Sequence, residues 1–247
     1  MNLIGAVGFI LVLVCAGLML GLSVIRRKSP PVFREIPAYT HLRQAIGRVV
    51  EDGSRLHVSL GRAALTTPQS ASALAGLILL RRLADLTSAS DKPPVATTGE
   101  ATLVILAQDT LQAASRAAGQ SFYDPTTARL TGLTPFSFAA GTLPVIRDEN
   151  VSTNILMGNF GLEAGLLTDA SEREEAFTLA ASDNLPAQAI MYTSSQDPLI
   201  GEELFAAGAY VEAGRMHTAS LVVQDILRWL IIIVILGGAV LKLVGLV

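Results

Sequence analysis

Glycine, threonine and acidic residues gather in short turns that follow apolar runs, and they are the groups in this chain whose types and spacing could do chemistry. Gly158-Asn159-Phe160-Gly161, with Gly165 beyond it, comes nearest to a dinucleotide fingerprint. It departs from G-x-G-x-x-G because two residues separate the first pair of glycines. A tight strand-to-helix turn favours glycine on steric grounds alone. Thr98-Gly99-Glu100 is similar: a carboxylate at a helix start serves the dipole or a cap, or else meets a ligand hydroxyl. Gly61 and Asp183 stand in two further turns of this kind. Free backbone N–H groups at helix starts can hold an anion. Gly61, Thr98, Gly99, Glu100, Gly158, Asn159, Gly161 and Asp183 are therefore the expected ligand-binding set, with a nucleotide or other small phosphorylated metabolite as the natural ligand.

No catalytic constellation accompanies them. His41, His57 and His217 fit no metal spacing. His57 lies inside a strand-like run, which suits a structural histidine. There is no P-loop, no G-x-S-x-G elbow and no H-E-x-x-H. Glu202-Glu203 fits the first turn of a helix, and Glu172 to Glu175 fits a solvated turn. Asp183, Glu100 and Glu163 are the acids an enzyme would use, yet nothing in the sequence sets a nucleophile against a base. No catalytic residue, cofactor or metal is expected. Net charge is −3, so the chain lacks the basic excess of a general nucleic-acid binder.

The elements that position these turns alternate. Helical spacing of Leu42, Ile46, Val49 and Val50 predicts a helix over 39–52, stopped by Gly53. Strand-like runs follow at 55–60, 93–98, 128–133, 154–157 and 176–180, with a sixth at 198–200. Helices are expected after them at 69–87, 100–118, 135–148, 162–172, from Ser182-Asp183-Asn184 to Tyr192, and at 202–211. Leu74, Leu77, Ile78 and Leu83 form the expected buried stripe of the first of these, Gly119 is the expected stop of the second, and Pro135 suits a first helical turn. Strand–helix alternation implies an α/β, Rossmann-like, mostly parallel sheet with helices on both faces. Its crevice lies beyond the carboxyl ends of the strands. The order of the strands is not readable.

Both ends of the chain differ from this middle. Residues 3–25 carry no charge, and 229–247 carry only Lys242. A bilayer core of about 30 Å needs ~20 apolar residues, so one transmembrane helix is expected at each terminus. The parts are 1–25 as first span, 26–38 as linker opened by Pro30-Pro31, 39–215 as the α/β domain, and 216–247 as a helix running into the second span. Charge follows the first apolar run rather than preceding it, unlike a cleaved signal peptide. Val14 before Cys15 argues against a lipoprotein site. Arg26-Arg27-Lys28, Arg215 and Arg228 flank the spans on the domain side, which places the domain in the cytoplasm and both termini outside. Lys242 is near enough to a span end to snorkel. Cys15 is the single cysteine, so no intrachain disulfide forms. Gly17 and Gly21 make a G-x-x-x-G face, with Gly5 and Gly8 further out, for packing against another helix.

Three segments carry a resemblance: Ala45–Leu60 (AIGRVVEDGSRLHVSL), Leu199–Tyr210 (LIGEELFAAGAY) and Ala219–Trp229 (ASLVVQDILRW). Together they resemble a family of uncharacterised bacterial membrane proteins, a domain of unknown function associated with Chloroflexota and related bacteria. The resemblance runs from the linker to the second span. It implies an α/β domain at a bacterial inner membrane and implies no activity, cofactor or site residue.

Two functions are expected from these observations. One is a non-catalytic, membrane-anchored assembly or scaffold subunit whose partners are the bilayer, other copies of itself or other membrane proteins. The other is a tethered sensor for a small anionic metabolite.

Overall fold

A computed structural model describes residues 3–25, 31, 33–88, 90, 92–120 and 122–243. The basic triplet Arg26–Lys28, Pro30 and the last four residues of the second apolar run lie outside the described residues. The chain divides into two compact units, 35–211 and the paired ends 1–34 with 212–247.

In the first unit, six parallel strands form one sheet in the order β3-β2-β1-β4-β5-β6. They are β1 (Arg55–Gly61), β2 (Val95–Thr98), β3 (Ala128–Leu130), β4 (Val151–Asn159), β5 (Phe177–Ser182) and β6 (Asp197–Leu199). This is the doubly wound order whose direction reverses between β1 and β4. The chain first steps outward from β1 through α3 (Ser70–Leu86) and α4 (Ala101–Ala117). It then crosses back through α5 (Pro135–Asp148) and steps the other way through α6 (Ala164–Arg173) and α7 (Leu185–Ser194). Right-handed crossovers put α3 and α4 on one face and α5 to α7 on the other. The leading helix α2 (Pro37–Asp52) and the closing α8 (Ala207–Tyr210) complete the first face. The expected fold class is thus the observed one.

Local chemistry explains most boundaries. Gly53 ends α2 in the left-handed region, at φ 60°. Thr134 and Ser137 cap each other's backbone at the start of α5, with Pro135 in the first turn. Other bounds move. β4 is nine residues long rather than four, and β3 is three rather than six. The segment expected as a helix over 202–211 is mostly 3-10, Gly201–Ala206, with one short turn of α8 after it. The expected stripe on α3 also shifts. Leu74 is exposed, while Ala73, Leu77, Leu80 and Leu83 are buried. Gly76 causes this: a Cβ there would lie 2.4 Å from Met157 O, so α3 presses its glycine side onto β4 and turns Leu74 outward.

Strands in a sheet covered on both faces are buried throughout, and β2 and β5 have no exposed position. The core under α5 to α7 is apolar and includes Phe138, Ile146, Leu156, Phe160, Leu167 and Met191.

In the second unit, α1 (Leu3–Ile25) lies against α9 (Arg215–Leu243). Both are long and apolar enough to cross a membrane, and the most apolar stretch of each has no buried residue. A core helix of a soluble domain would bury that stretch.

Candidate functional site

The crevice between β1 and β4 is built by an irregularity in their pairing. Ser59 is opposite Leu156, but Gly61 is opposite Asn159, so β4 carries an extra residue at its end. That bulge forces close backbone approaches, and glycine alone permits them. A Cβ on Gly158 would sit 2.1 Å from Leu60 O, and one on Gly61 would sit 2.2 Å from Asn159 O. Gly61 also has φ +70°.

All eight residues of the expected ligand set lie at this carboxyl edge. Gly61 O accepts from Gly99 N and from Thr98 Oγ1, each at 2.9 Å. Arg62 N donates to Asn159 O at 2.9 Å, and Asn159 Nδ2 donates to Asp183 Oδ1 at 2.7 Å. These contacts tie the ends of β1, β2, β4 and β5 into one polar floor.

The helix starts around it are already served by the chain. Glu100 Oε2 accepts from Leu103 N at 2.9 Å, so this carboxylate caps α4. Glu163 is buried at 3% exposure, and its Oε1 accepts both from Gly161 N at 2.9 Å and from Arg62 Nε at 3.0 Å. Phe160 does not face a ligand; it is fully buried. The Arg62 stem lies over Gly99, where an added Cβ would come within 2.5 Å of Arg62 Cγ. Arg62 and Glu163 therefore fill the position at the switch point that an anionic ligand would need. The sequence offers Glu163 as an acid an enzyme would use but not as part of the ligand set, and it does not single out Arg62. The available signal was Arg62 itself, the single cation in the carboxyl-edge turns.

A second polar system crosses the sheet below the crevice. His57 is fully buried. Its Nδ1 meets Asn154 Oδ1 at 2.6 Å, and its Nε2 meets Thr97 Oγ1 at 2.9 Å. Thr97 Oγ1 is 3.1 Å from Ser59 Oγ, and Asn154 Nδ2 donates to Ser171 Oγ on α6. An Nδ1–H donor with Nε2 as acceptor satisfies both ring nitrogens, which describes a neutral imidazole. Burial is the main cause that lowers the His57 pKa from 6.5 to about 4, against the opposing effect of the Asn154 hydrogen bond. His57 is thus a structural histidine that links β2, β1, β4 and α6.

At the opposite, amino edge, Glu149 accepts from both Arg55 and Arg129. Burial pushes the Glu149 carboxyl up, but the two arginine hydrogen bonds outweigh it and hold the group below its ordinary range. His41, on α2, pairs with Asp197 at 3.0 Å. The three histidines serve separate elements, and among the described residues no group of three His, Cys, Asp or Glu side chains is placed to hold a metal.

No curated protein and no solved structure matches the chain. Residues 3–247 match a family described as a domain of unknown function, DUF6754.

Proposed function

The chain belongs to the DUF6754 family, whose description assigns no activity, and from that premise we propose that it is a non-catalytic, membrane-anchored scaffold subunit that associates with copies of itself. The two apolar helices serve as its anchors. The basic triplet Arg26–Lys28, with Arg215 and Arg228, favours a cytoplasmic α/β unit with both termini outside. The resemblance to Chloroflexota-associated membrane proteins supports a bacterial inner membrane as the address.

The observation that carries this reading is the open face of α1. A Cβ added at Gly17 or Gly21 would meet nothing within 4 Å, so the G-x-x-x-G surface is left unused inside one chain. Small residues spaced this way let a second helix approach closely. The filled crevice adds support, because Arg62 and Glu163 satisfy each other where a nucleotide-type fold holds its ligand. The mass of the purified chain in mild detergent is the test. We expect an oligomer that Gly17→Ile converts to monomer; a monomeric wild type, or an oligomer indifferent to the substitution, removes the reading.

A second reading, the tethered sensor, is favoured by the strand order and by the convergence of Gly61, Thr98 and Asn159 on the switch point. An anion would have to displace the Glu163 carboxylate from Gly161 N–H and Arg62. Thermal shift of the full chain with nucleotides tests this, and Glu163→Gln should enlarge any response. No shift in either protein ends it.

A further inference from the structure

The amino edge of the sheet holds a cavity that neither the crevice nor the His57 system uses. Two connections at this edge are short: α5 reaches β4 across 149–150, and α6 reaches β5 across 174–176. The other two are longer. α3 reaches β2 across 87–94, and α4 reaches the 3-10 turn Pro125–Thr127 across 118–124. Connections of this kind usually take about 2–6 residues. The two long ones, with the ends of α3 and α4, line one cavity of about 140 Å³.

The walls set the size and polarity of what fits. Ala84 of α3 and Ala114 of α4 are small and buried, and Leu111 is buried beside them. Small side chains on two packed helices leave room that larger ones would fill. Pro93 and Pro94 add apolar wall that offers no N–H. Phe122 lines the cavity yet is 78% exposed, so it stands at the mouth. A cavity of ~150 Å³ with apolar walls holds one benzene ring.

The polar groups narrow the chemistry further. Among the described lining residues the one charge is Asp124. Its carboxylate is engaged, accepting from Thr126 N at 2.9 Å and from Thr126 Oγ1 at 2.8 Å. The walls offer no cation to an anion, and a charge of either sign would lose its hydration among them. The Tyr123 and Thr127 hydroxyls, both in the lining, meet at 3.2 Å, and Thr127 Oγ1 also donates to Asp124 O at 2.7 Å. Whichever hydroxyl supplies the hydrogen between them, the Tyr123 hydroxyl keeps capacity for one further partner. Burial pushes the Tyr123 phenol up against the opposing Thr127 hydrogen bond, so it keeps its proton at neutral pH. A ligand hydroxyl can both give and accept, and so it suits this oxygen in either arrangement.

We propose that this cavity binds a neutral, ring-sized molecule of the phenol class, with its ring among Ala84, Leu111 and Ala114 and its hydroxyl on Tyr123. The proposal does not rest on the scaffold reading. Apolar burial supplies the affinity of such a site, and the few polar contacts fix orientation.

The probe is 4-fluorophenol, followed by fluorine NMR line broadening as it is titrated against the full chain in zwitterionic nanodiscs, with empty discs subtracted. 4-Fluorotoluene, which lacks the hydroxyl, and 4-fluorobenzoate, which carries a charge, are its controls. Wild type should broaden 4-fluorophenol beyond empty discs. Ala114→Leu, which puts a larger side chain into the cavity wall, should weaken that binding at least about tenfold. Tyr123→Phe should weaken it about fivefold and leave 4-fluorotoluene unchanged. 4-Fluorobenzoate should not bind. No broadening beyond empty discs overturns the proposal. Equal affinity of wild type and Ala114→Leu, or of wild type and Tyr123→Phe, overturns it too, as does 4-fluorobenzoate binding as tightly as 4-fluorophenol. Ala114 is buried, so thermal midpoints are compared. If Ala114→Leu has unfolded, Ala118→Phe at an exposed position of the lining replaces it, with the same loss expected.

Discussion

The two edges of the sheet are built from the same elements and do opposite things with charge. At the amino edge, Glu149 gathers Arg55 and Arg129, binding the start of β1 to β3 and to the end of α5. At the carboxyl edge one internal pair, Arg62–Glu163, closes the crevice, and Leu133, Phe136, Leu162 and Leu185 stand exposed to solvent. The contrast separates two demands on one fold. Strands that begin together need their ends held, and paired charges hold them. Turns that follow the strands are free to vary without disturbing the sheet, which is why folds of this kind commonly build binding surfaces there. His57 and its partners sit between the edges and give the middle of the sheet polar groups whose ring contacts are satisfied.

The sharpest way to break the carboxyl edge is Gly61→Ala. The new Cβ would lie 2.2 Å from Asn159 O, and the residue would keep a φ near +70°. Overpacking and left-handed strain together should cost about 4 kcal/mol, seen as a lower denaturation midpoint of the α/β unit. Gly53→Ala shares the positive φ (+60°) but meets nothing within 4 Å, so a much smaller loss there isolates the steric part. Equal losses would mean that the close approach of β1 and β4 is not a constraint.

The middle of the sheet is probed by pH. His57 is neutral when folded, with its pKa lowered from 6.5 to about 4. The unfolded chain binds a proton below pH 6.5 that the folded chain refuses, so stability is complete above that value and falls as pH drops toward 4, by about 3 kcal/mol in total. Glu149, also held low, adds a loss in the same direction once the pH enters the carboxylate range. Urea midpoints measured from pH 7.5 to 4 should decline most between 6.5 and 4, and a flat profile would contradict the neutral, buried assignment.

The smallest of the three effects tests the amino edge. Glu149→Gln leaves Arg55 and Arg129 facing each other without their shared anion, and Arg55 Nε is already a buried nitrogen without a hydrogen-bond partner. A loss of about 2 kcal/mol is expected, and it should add to the Gly61→Ala loss when the two substitutions are combined. A combined loss far from the sum would mean that the two edges are not independent.

Particular residues show how far sequence reasoning reached. The alternation of apolar runs and helical stripes led to six strands and a covered parallel sheet because periodicity is a local property. Gly53 was recognised as a helix stop because its side chain, or lack of one, acts on its own φ. The eight polar turn residues lie together at one edge, since any parallel α/β sheet sends its post-strand turns to the same side. Leu74 was misplaced because the buried side of α3 is chosen by Gly76 against β4, a contact 81 residues away in the chain. Arg62 and Glu163 were not joined for the same reason, lying on turns after different strands.

The chain alone determined that two long apolar ends enclose an alternating α/β middle, because helix length, charge and hydrophobic period are written in neighbouring residues. Tertiary structure alone decided that β1 and β4 meet at the centre of the sheet. It decided that the crevice there is filled by an internal ion pair and that four exposed apolar side chains line one rim. Strand order and side-chain pairing depend on contacts between distant segments, and no local pattern encodes which segments those will be.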